Sequence, residues 1–393
     1  MLSTQHATQL AQEAKSELVS LTQELIRTPT SNPPGEEEKA AAILLQKFTS
    51  EGIAAELIPE GPGRADLVAR LKGAGGPALL FDGHLDTVPP GEEAAWTHPP
   101  YSGVLDKGRI YGRGTSDMKG GIAAQVMAAV LAKRTGIELA GDLIVAATCG
   151  EEIDNLGAHT LRNAGGLEGV GAIVIAEPSN NEIFIAEKGA LWLEVTTSGR
   201  TAHGSMPNLG INAIWKMHAF MDKMKDFKPS QDKHPLLGEA TFSLNTMDGG
   251  FKTNVVPDRC TTTWDGRTIP GKSHSDIVAA VQDQITQLKS TDPDFKGEIK
   301  VIKDLPSVDT PPDNPLVKIA QQIGEELWGR QLTPGGVNYY TDAAVLVPGL
   351  NIPFIILGPG EPGLAHQPNE NVEVEKLVAA TAFYLLLAHR WQS

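Results

Sequence analysis

Short apolar runs that break off into polar or charged residues recur along the chain. Leu79-Leu80-Phe81 leads to Asp82-Gly83-His84, Leu143-Ile144-Val145-Ala146-Ala147 to Thr148-Cys149-Gly150-Glu151-Glu152, Ala172-Ile173-Val174-Ile175-Ala176 to Glu177, and Phe354-Ile355-Ile356-Leu357 to Gly358. Runs this short, unbroken by polar positions and rich in branched side chains, predict strands covered on both faces. Between them, Ile122 to Lys133, Pro315 to Leu327 and Val374 to Arg390 carry the longer apolar spacing of helices. Strands alternating with helices predict an α/β catalytic domain, a mixed central sheet flanked by helices of the phosphorylase/hydrolase-like type.

The rhythm changes between Leu191 and Lys303. Strand Leu191 to Thr197, helix Gly210 to Met224, strands Ala240 to Met247 and Asn254 to Trp264, helix Ser275 to Leu288 and strand Gly297 to Ile302 follow one another. This βαββαβ order predicts a ferredoxin-like α+β sandwich. It interrupts the flanking pattern, so an inserted lid is expected at 191–304, with the catalytic domain in two parts, 1–190 and 305–393. Pro306 to Pro315 reads as the return linker. A chain of 393 residues is too long for one ordinary core, which agrees with two domains.

The chemistry gathers where the apolar runs end. His84 and Asp86 stand two apart, a spacing at which strand side chains share a face. A carboxylate beside an imidazole fixes its tautomer for metal binding, although a hydrogen-bonded structural histidine has the same appearance. Asp117 precedes a helix and could simply cap it. Nucleotide binding is a rival for Gly112-Arg113-Gly114, but Asp117 falls where a third glycine is needed, no strand is expected directly before the turn, and a carboxylate there repels phosphate. Glu151 and Glu152 could be a solvated acidic pair; Glu177 and His366 follow two further strands. Open α/β sheets bind ligands at the carboxyl ends of their strands, and this repetition favours a site over scattered structural residues. Three carboxylates and two imidazoles suit two divalent ions.

Charge and composition narrow the classes. A net charge of -15 without a Lys/Arg cluster argues against nucleic-acid or anionic-membrane partners. No segment reaches the ~18 unbroken apolar residues of a membrane span. Met1 to Ala14 lacks the basic start and apolar run of a signal peptide, so a cytoplasmic location is expected. The two cysteines, Cys149 and Cys260, read as small packed residues in a reducing compartment, with no disulfide expected.

The runs GHLDTVPPG (83–91), GRGTSDMKGG (112–121), TCGEE (148–152), AEP (176–178), GRTAHGSMPNLGINA (199–213) and GLAHQPNE (363–370), in this order, resemble the acetylornithine deacetylase / succinyl-diaminopimelate desuccinylase family of co-catalytic metal amidohydrolases. They are also similar to the related aminoacylases, carboxypeptidases and dipeptidases, and Arg27 to Gly35 looks like that family's start. The resemblance implies that His84, Asp117 and Glu177 hold one metal and Asp117, Glu152 and His366 the other, with Asp117 bridging. It implies that Asp86 orients His84 and that Glu151 is the general acid/base. Two Zn2+ ions are expected, Co2+ or Mn2+ being accepted by the same ligands.

In the lid, the resemblance implies that His203 reaches a neighbouring subunit's active site, so a homodimer through the lid is expected, and that Asn254 and Arg267 contact substrate. A turn histidine and a strand-end salt bridge are the plainer readings of His203 and Arg267. Gly266 stands where a β-former is expected, which leaves the register of Arg267 open by one. The implied activity is hydrolysis of a small N-acyl amino acid, with a dipeptidase or carboxypeptidase as alternative and a non-catalytic small-molecule-binding relative as a third. Gly335 to Ala343, with Tyr339 and Tyr340, is expected to line the pocket.

Overall fold

In the computed structural model, described for residues 2–391, the chain forms two compact units. The larger comprises Met1–Ile185, Asp309–Gly335 and Thr341–Ser393, and the smaller Ala186–Val308 with Gly336–Tyr340. The last segment departs from the expected division, which kept it in the returning catalytic part. It joins the smaller unit because the N–H of Lys188 donates to the Val337 carbonyl at 3.1 Å and Lys303 Nζ donates to the Tyr340 hydroxyl at 2.8 Å.

The larger unit is a mixed α/β layer structure. Its central sheet runs in the order Ala54–Gly61, Arg64–Leu71, Gly141–Thr148, Gly76–His84, Val170–Ile175, Phe354–Ile356 and then Phe184–Glu187. Gly76–His84 lies parallel to both Gly141–Thr148 and Val170–Ile175, and Phe354–Ile356 is parallel to the latter. These four strands are the unbroken apolar runs of the sequence, and they are buried because helices cover the sheet. Being parallel, they deliver their carboxyl ends to one edge.

The helix Lys119–Thr135 is buried all round from Lys119 to Ala132 and ends on Gly136 in the left-handed conformation (φ 62°), where a residue without Cβ is unstrained. It begins three residues earlier than the Ile122 start expected. Its N-terminus approaches the neighbouring backbone so closely that a Cβ on Gly121 would lie 2.3 Å from the Ala176 carbonyl. The Gly-rich stretch therefore serves helix packing. The turn before it does follow a strand, contrary to expectation: Arg109–Tyr111, three residues long, belongs to a separate three-stranded sheet. Its brevity hid it.

The smaller unit is a four-stranded antiparallel sheet, ordered Thr241–Gly249, Arg259–Thr268, Gly189–Ser198, Lys296–Leu305. The helices Ala213–Met224 and His274–Thr291 close one face over Leu191, Leu193, Val195, Phe220, Trp264 and Val281. The expected strand from Asn254 starts only at Arg259; Pro257, lacking an N–H, suits the approach to a strand better than its interior. Gly266 sits inside that strand opposite Phe242 and Leu191, and a Cβ there would meet the Leu191 carbonyl and the Phe242 ring at 3.0 Å. A glycine thus fits this close packing. Among the described residues no helix is long and apolar enough to cross a membrane.

Candidate metal centre

The carboxyl edge of the parallel strands brings seven sequence-derived residues together. His84 is the last residue of its strand, and Asp86 lies beyond the strand end. The shared-face argument for this pair therefore gives way to a turn contact. His84 Nδ1 lies 2.9 Å from the Asp86 backbone carbonyl and 3.5 Å from its carboxylate. A carbonyl only accepts, so Nδ1 carries a proton, and Nε2 is the nitrogen turned to the carboxylates. That nitrogen faces Asp117 Oδ1 at 3.1 Å, Glu177 Oε1 at 3.4 Å and Glu151 Oε2 at 3.9 Å.

Asp86, fully buried, does more than attend His84. Its Oδ1 accepts from the N–H groups of Gly150 and Glu151 at 3.0 and 3.1 Å; its Oδ2 accepts from Glu152 N–H at 3.2 Å and Asn32 Nδ2 at 2.9 Å. Hydrogen bonds to a charged group contribute about 1.5–3 kcal/mol each, so the loop carrying both glutamates is hung on one carboxylate. From it, Glu151 turns towards His84 while Glu152 Oε1 accepts from Val88 N–H at 3.2 Å and its Oε2 lies 3.3 Å from His366 Nε2.

Asp117 does not cap its helix: Met118 occupies the cap position and no side chain caps the end. Its two oxygens are divided between the imidazoles, Oδ1 to His84 and Oδ2 to His366 Nε2 at 3.2 Å, the arrangement a bridging ligand requires. His366 comes from a loop beyond Phe354–Ile356, with a left-handed backbone (φ 62°) and a side chain 53% exposed. Donor atoms of His84, Glu151 and Glu177 lie within 4.8 Å of one another, as do those of His84, Asp117 and Glu152.

This donor set fits divalent cations. In the metal-free chain burial pushes Glu151 well above the usual carboxylate range, reinforced by Glu177 and Glu152 against the opposing charge of His84. Burial, then Asp117, lifts Glu177 to about 8. Burial opposes charge on His84, yet its contacts with Asp117, Asp86 and Glu177 hold it protonated well above its ordinary range. Contacts with Asp117 and Glu152 raise His366 to about 10. So much buried negative charge draws positive charge to the place between the carboxylates, and protons on the imidazoles supply it where a cation does not.

Sequence reasoning passed over three supporting residues. Glu370 is buried against the Asp117 turn. Lys119 Nζ, buried and lowered to about 7 by desolvation, donates to the carbonyls of Leu25 and Thr28. Asp342 accepts from Thr148 Oγ1 at 2.7 Å and Asn155 Nδ2 at 2.9 Å beneath the glutamate loop. Glu370 lies in the polar stretch Gln367 to Asn371, and all three bond to segments remote in sequence, so no local signal marked them.

Within the smaller unit, His203 and Asn254 are neighbours. An antiparallel bridge joins His203 to Val255, and Gly204 N–H donates to the Asn254 carbonyl at 2.8 Å. Both are exposed, and His203 Nδ1 lies 2.7 Å from Ser205 Oγ. Arg267 pairs in the strand with Ala190, whereas Arg259 pairs with Ser198 at the other end. Eight residues at about 3.3 Å each separate these positions by roughly 26 Å. Arg267 gives Nε and Nη2 to the Asp265 carboxylate at 2.9 and 3.1 Å, which realises the salt-bridge reading, and it lies over the Tyr340 ring with Lys303.

The profile of peptidase family M20/M25/M40 matches residues 80–390. A probable succinyl-diaminopimelate desuccinylase of Staphylococcus epidermidis is 28% identical over 403 aligned positions, covering 94% of this chain and 96% of that protein. The N-formyl-4-amino-5-aminomethyl-2-methylpyrimidine deformylase of Bacillus subtilis is also 28% identical, over 97% of this chain and 96% of its own length. In fold, the chain is similar to the Bacillus subtilis YXEP protein, described as a dinuclear metal binding peptidase, with a TM-score of 0.73, 20% identity and coverage of 96% and 98%.

Proposed function

The chain belongs to the peptidase family M20/M25/M40, and from that premise we propose that it removes the acyl group from a small N-acylated amino acid by metal-dependent amide hydrolysis. The observation that carries this reading is the placement of Glu151: buried, proton-retaining, and 3.9 Å from His84 Nε2 inside a cluster of metal donors. His84, Asp117 and Glu177 would hold one ion, and Asp117, Glu152 and His366 the second, Zn2+ being the first expectation and Co2+ or Mn2+ the alternatives. When bound, two such ions supply Lewis acidity towards the amide carbonyl and acidify a water. Glu151 accepts the proton of the attacking water and returns it to the departing amine, work that suits a carboxylate whose proton affinity is raised by its surroundings. Asp86 aims His84 through its backbone carbonyl and holds Glu151 through the loop N–H groups.

On this reading His203 stabilises the oxyanion in a partner's site, and Asn254 and Arg267 contact the substrate, Arg267 through a carboxylate. A homodimer through the lid follows, and a cytoplasmic location is kept as the working expectation. Arg267 must exchange part of its contact with Asp265 to bind substrate.

Desuccinylase and deformylase relatives at equal identity leave the acyl group open. Comparing kcat/KM for N-acetyl-ornithine, N-succinyl-diaminopimelate, further N-acyl amino acids and plain dipeptides tests the reading; a preference for dipeptides of tenfold or more, about 1.4 kcal/mol, would replace it with a peptidase. Activity undiminished after complete chelation would end the amidohydrolase reading itself.

A further inference from the structure

The Glu370 carboxylate has no role in the scheme above, yet it is fully buried and surrounded by donors. Its Oε1 accepts from the N–H groups of Gly114 at 3.1 Å, Ser116 at 2.8 Å and Asp117 at 3.0 Å. Its Oε2 accepts from Arg113 Nη1 at 2.5 Å, and its backbone carbonyl accepts from Gly112 N–H at 2.9 Å. The turn that ends in Asp117 is thus wrapped around one side chain. Glu370 also lies only four residues after His366, on the same loop, and Arg113 reaches back towards the Gln367 carbonyl at 3.4 Å. A single carboxylate ties the segment presenting Asp117 to the segment presenting His366, and the two side chains meet at 3.2 Å.

The surrounding donors suit an anion. Three N–H groups converge on one oxygen while a guanidinium takes the other, so an amide in this place would turn its own NH2 against Arg113 or against the turn. The glutamate loop is built likewise, with three N–H groups on Asp86. His366 needs such a support more than His84 does, being 53% exposed where His84 is 1% exposed.

We infer that Glu370 is a positioning residue for the Asp117–His366 half of the metal centre, setting the geometry of the second ion's ligands without touching the ion. The inference rests on the two-metal reading. Metal-free wild type and Glu370→Ala are titrated with Co2+ by visible absorption, with His366→Ala and His84→Ala marking the two halves. Glu370→Ala is expected to weaken the equivalent that His366→Ala abolishes by about 10- to 100-fold, the usual effect of removing a ligand's support, and to weaken the other, which shares only Asp117 of the two supported ligands, at least about threefold less. Amide hydrogen exchange in the metal-free proteins supplies a second readout: the Gly114, Ser116 and Asp117 amides should exchange at least about tenfold faster, with Gly150 to Glu152 unchanged. Wild-type binding of both equivalents, or equal weakening of both, overturns the inference. Should Glu370→Ala fail to fold by circular dichroism, Glu370→Gln is read in the same two measurements with the same expectations. If the wild type itself takes up fewer than two equivalents, the two-metal reading fails, and the exchange data decide alone whether Glu370 sets the Asp117 turn.

Discussion

The metal-donor cluster of the larger unit and the polar residues of the smaller one are held in opposite ways. His84, Asp86, Glu151 and Glu177 are buried, and the Glu151 loop is fixed by backbone donors that converge on a buried carboxylate. His203 and Asn254 are exposed and held by a turn, with Ser205 as the nearest side-chain partner of His203. The first group is positioned by the fold that carries it. The second lies at the surface, where the proposed role would have it meet a partner or substrate. Burial supplies preorganisation at the reacting centre, where misplacement is most costly; exposure supplies reach.

The sharpest way to break this contrast is at Glu151. Glu151→Ala should lower kcat by about 1,000- to 10,000-fold, the upper part of the range for a lost proton carrier, with metal content by atomic emission unchanged. A variant that keeps a tenth of its activity would remove Glu151 from the role of base.

His203→Ala comes next, with a loss of about 100- to 1,000-fold in kcat expected for an oxyanion donor. Mixing it with Glu151→Ala separates reach from local function. If His203 serves a partner, heterodimers regain one intact site and activity returns on mixing; no recovery in a mixture shown to exchange subunits would confine His203 to its own chain.

The smallest effect per step concerns pH, and it belongs to the buried side alone. Asp66, 1% exposed, has its carboxyl raised to about 7, first by burial and then by Glu60 and Asp342, against the hydrogen bond from Cys149 N–H. A folded pKa above the unfolded one near 3.8 means that the stability tied to its proton is full below about 4 and is lost as pH rises through about 7. Asp66→Asn stays neutral, so its unfolding free energy by denaturant titration should gain on wild type between pH 4 and 7, by up to about 1.4 kcal/mol per pH unit, and level off above. A difference that does not change with pH would show that Asp66 is ionised in the native protein throughout.

Much of the larger unit was legible because burial on both faces writes an unbroken apolar run, and a strand that ends at a site writes a polar residue immediately after it. Glu177 and the Glu151-Glu152 pair follow that pattern. The short strand Arg109–Tyr111 and the late start of the lid strand at Arg259 were not legible, since three residues carry no period and Pro257 had to be weighed against an otherwise strand-like run. The roles of Glu370 and Lys119 were hidden for a different reason. Their partners are backbone atoms of segments remote in sequence, Gly114 to Asp117 for one and Leu25 and Thr28 for the other. Backbone N–H and C=O groups are the same in every residue type and leave no mark in a sequence.

By itself the sequence determined the alternation of buried strands and helices, the inserted βαββαβ rhythm and the residue types able to bind cations, because periodicity and side-chain chemistry are local properties. Only the tertiary structure decided which oxygen faces which nitrogen. It divided Asp117 between two imidazoles, sent Glu151 and Glu152 to different neighbours, made Asp86 the support of a loop as well as the companion of His84, and set Arg267 against Asp265. Such pairings depend on distances between segments that the chain brings together only when it folds, and hydrogen bonds and charge interactions take their strength from those distances and from the water that folding removes.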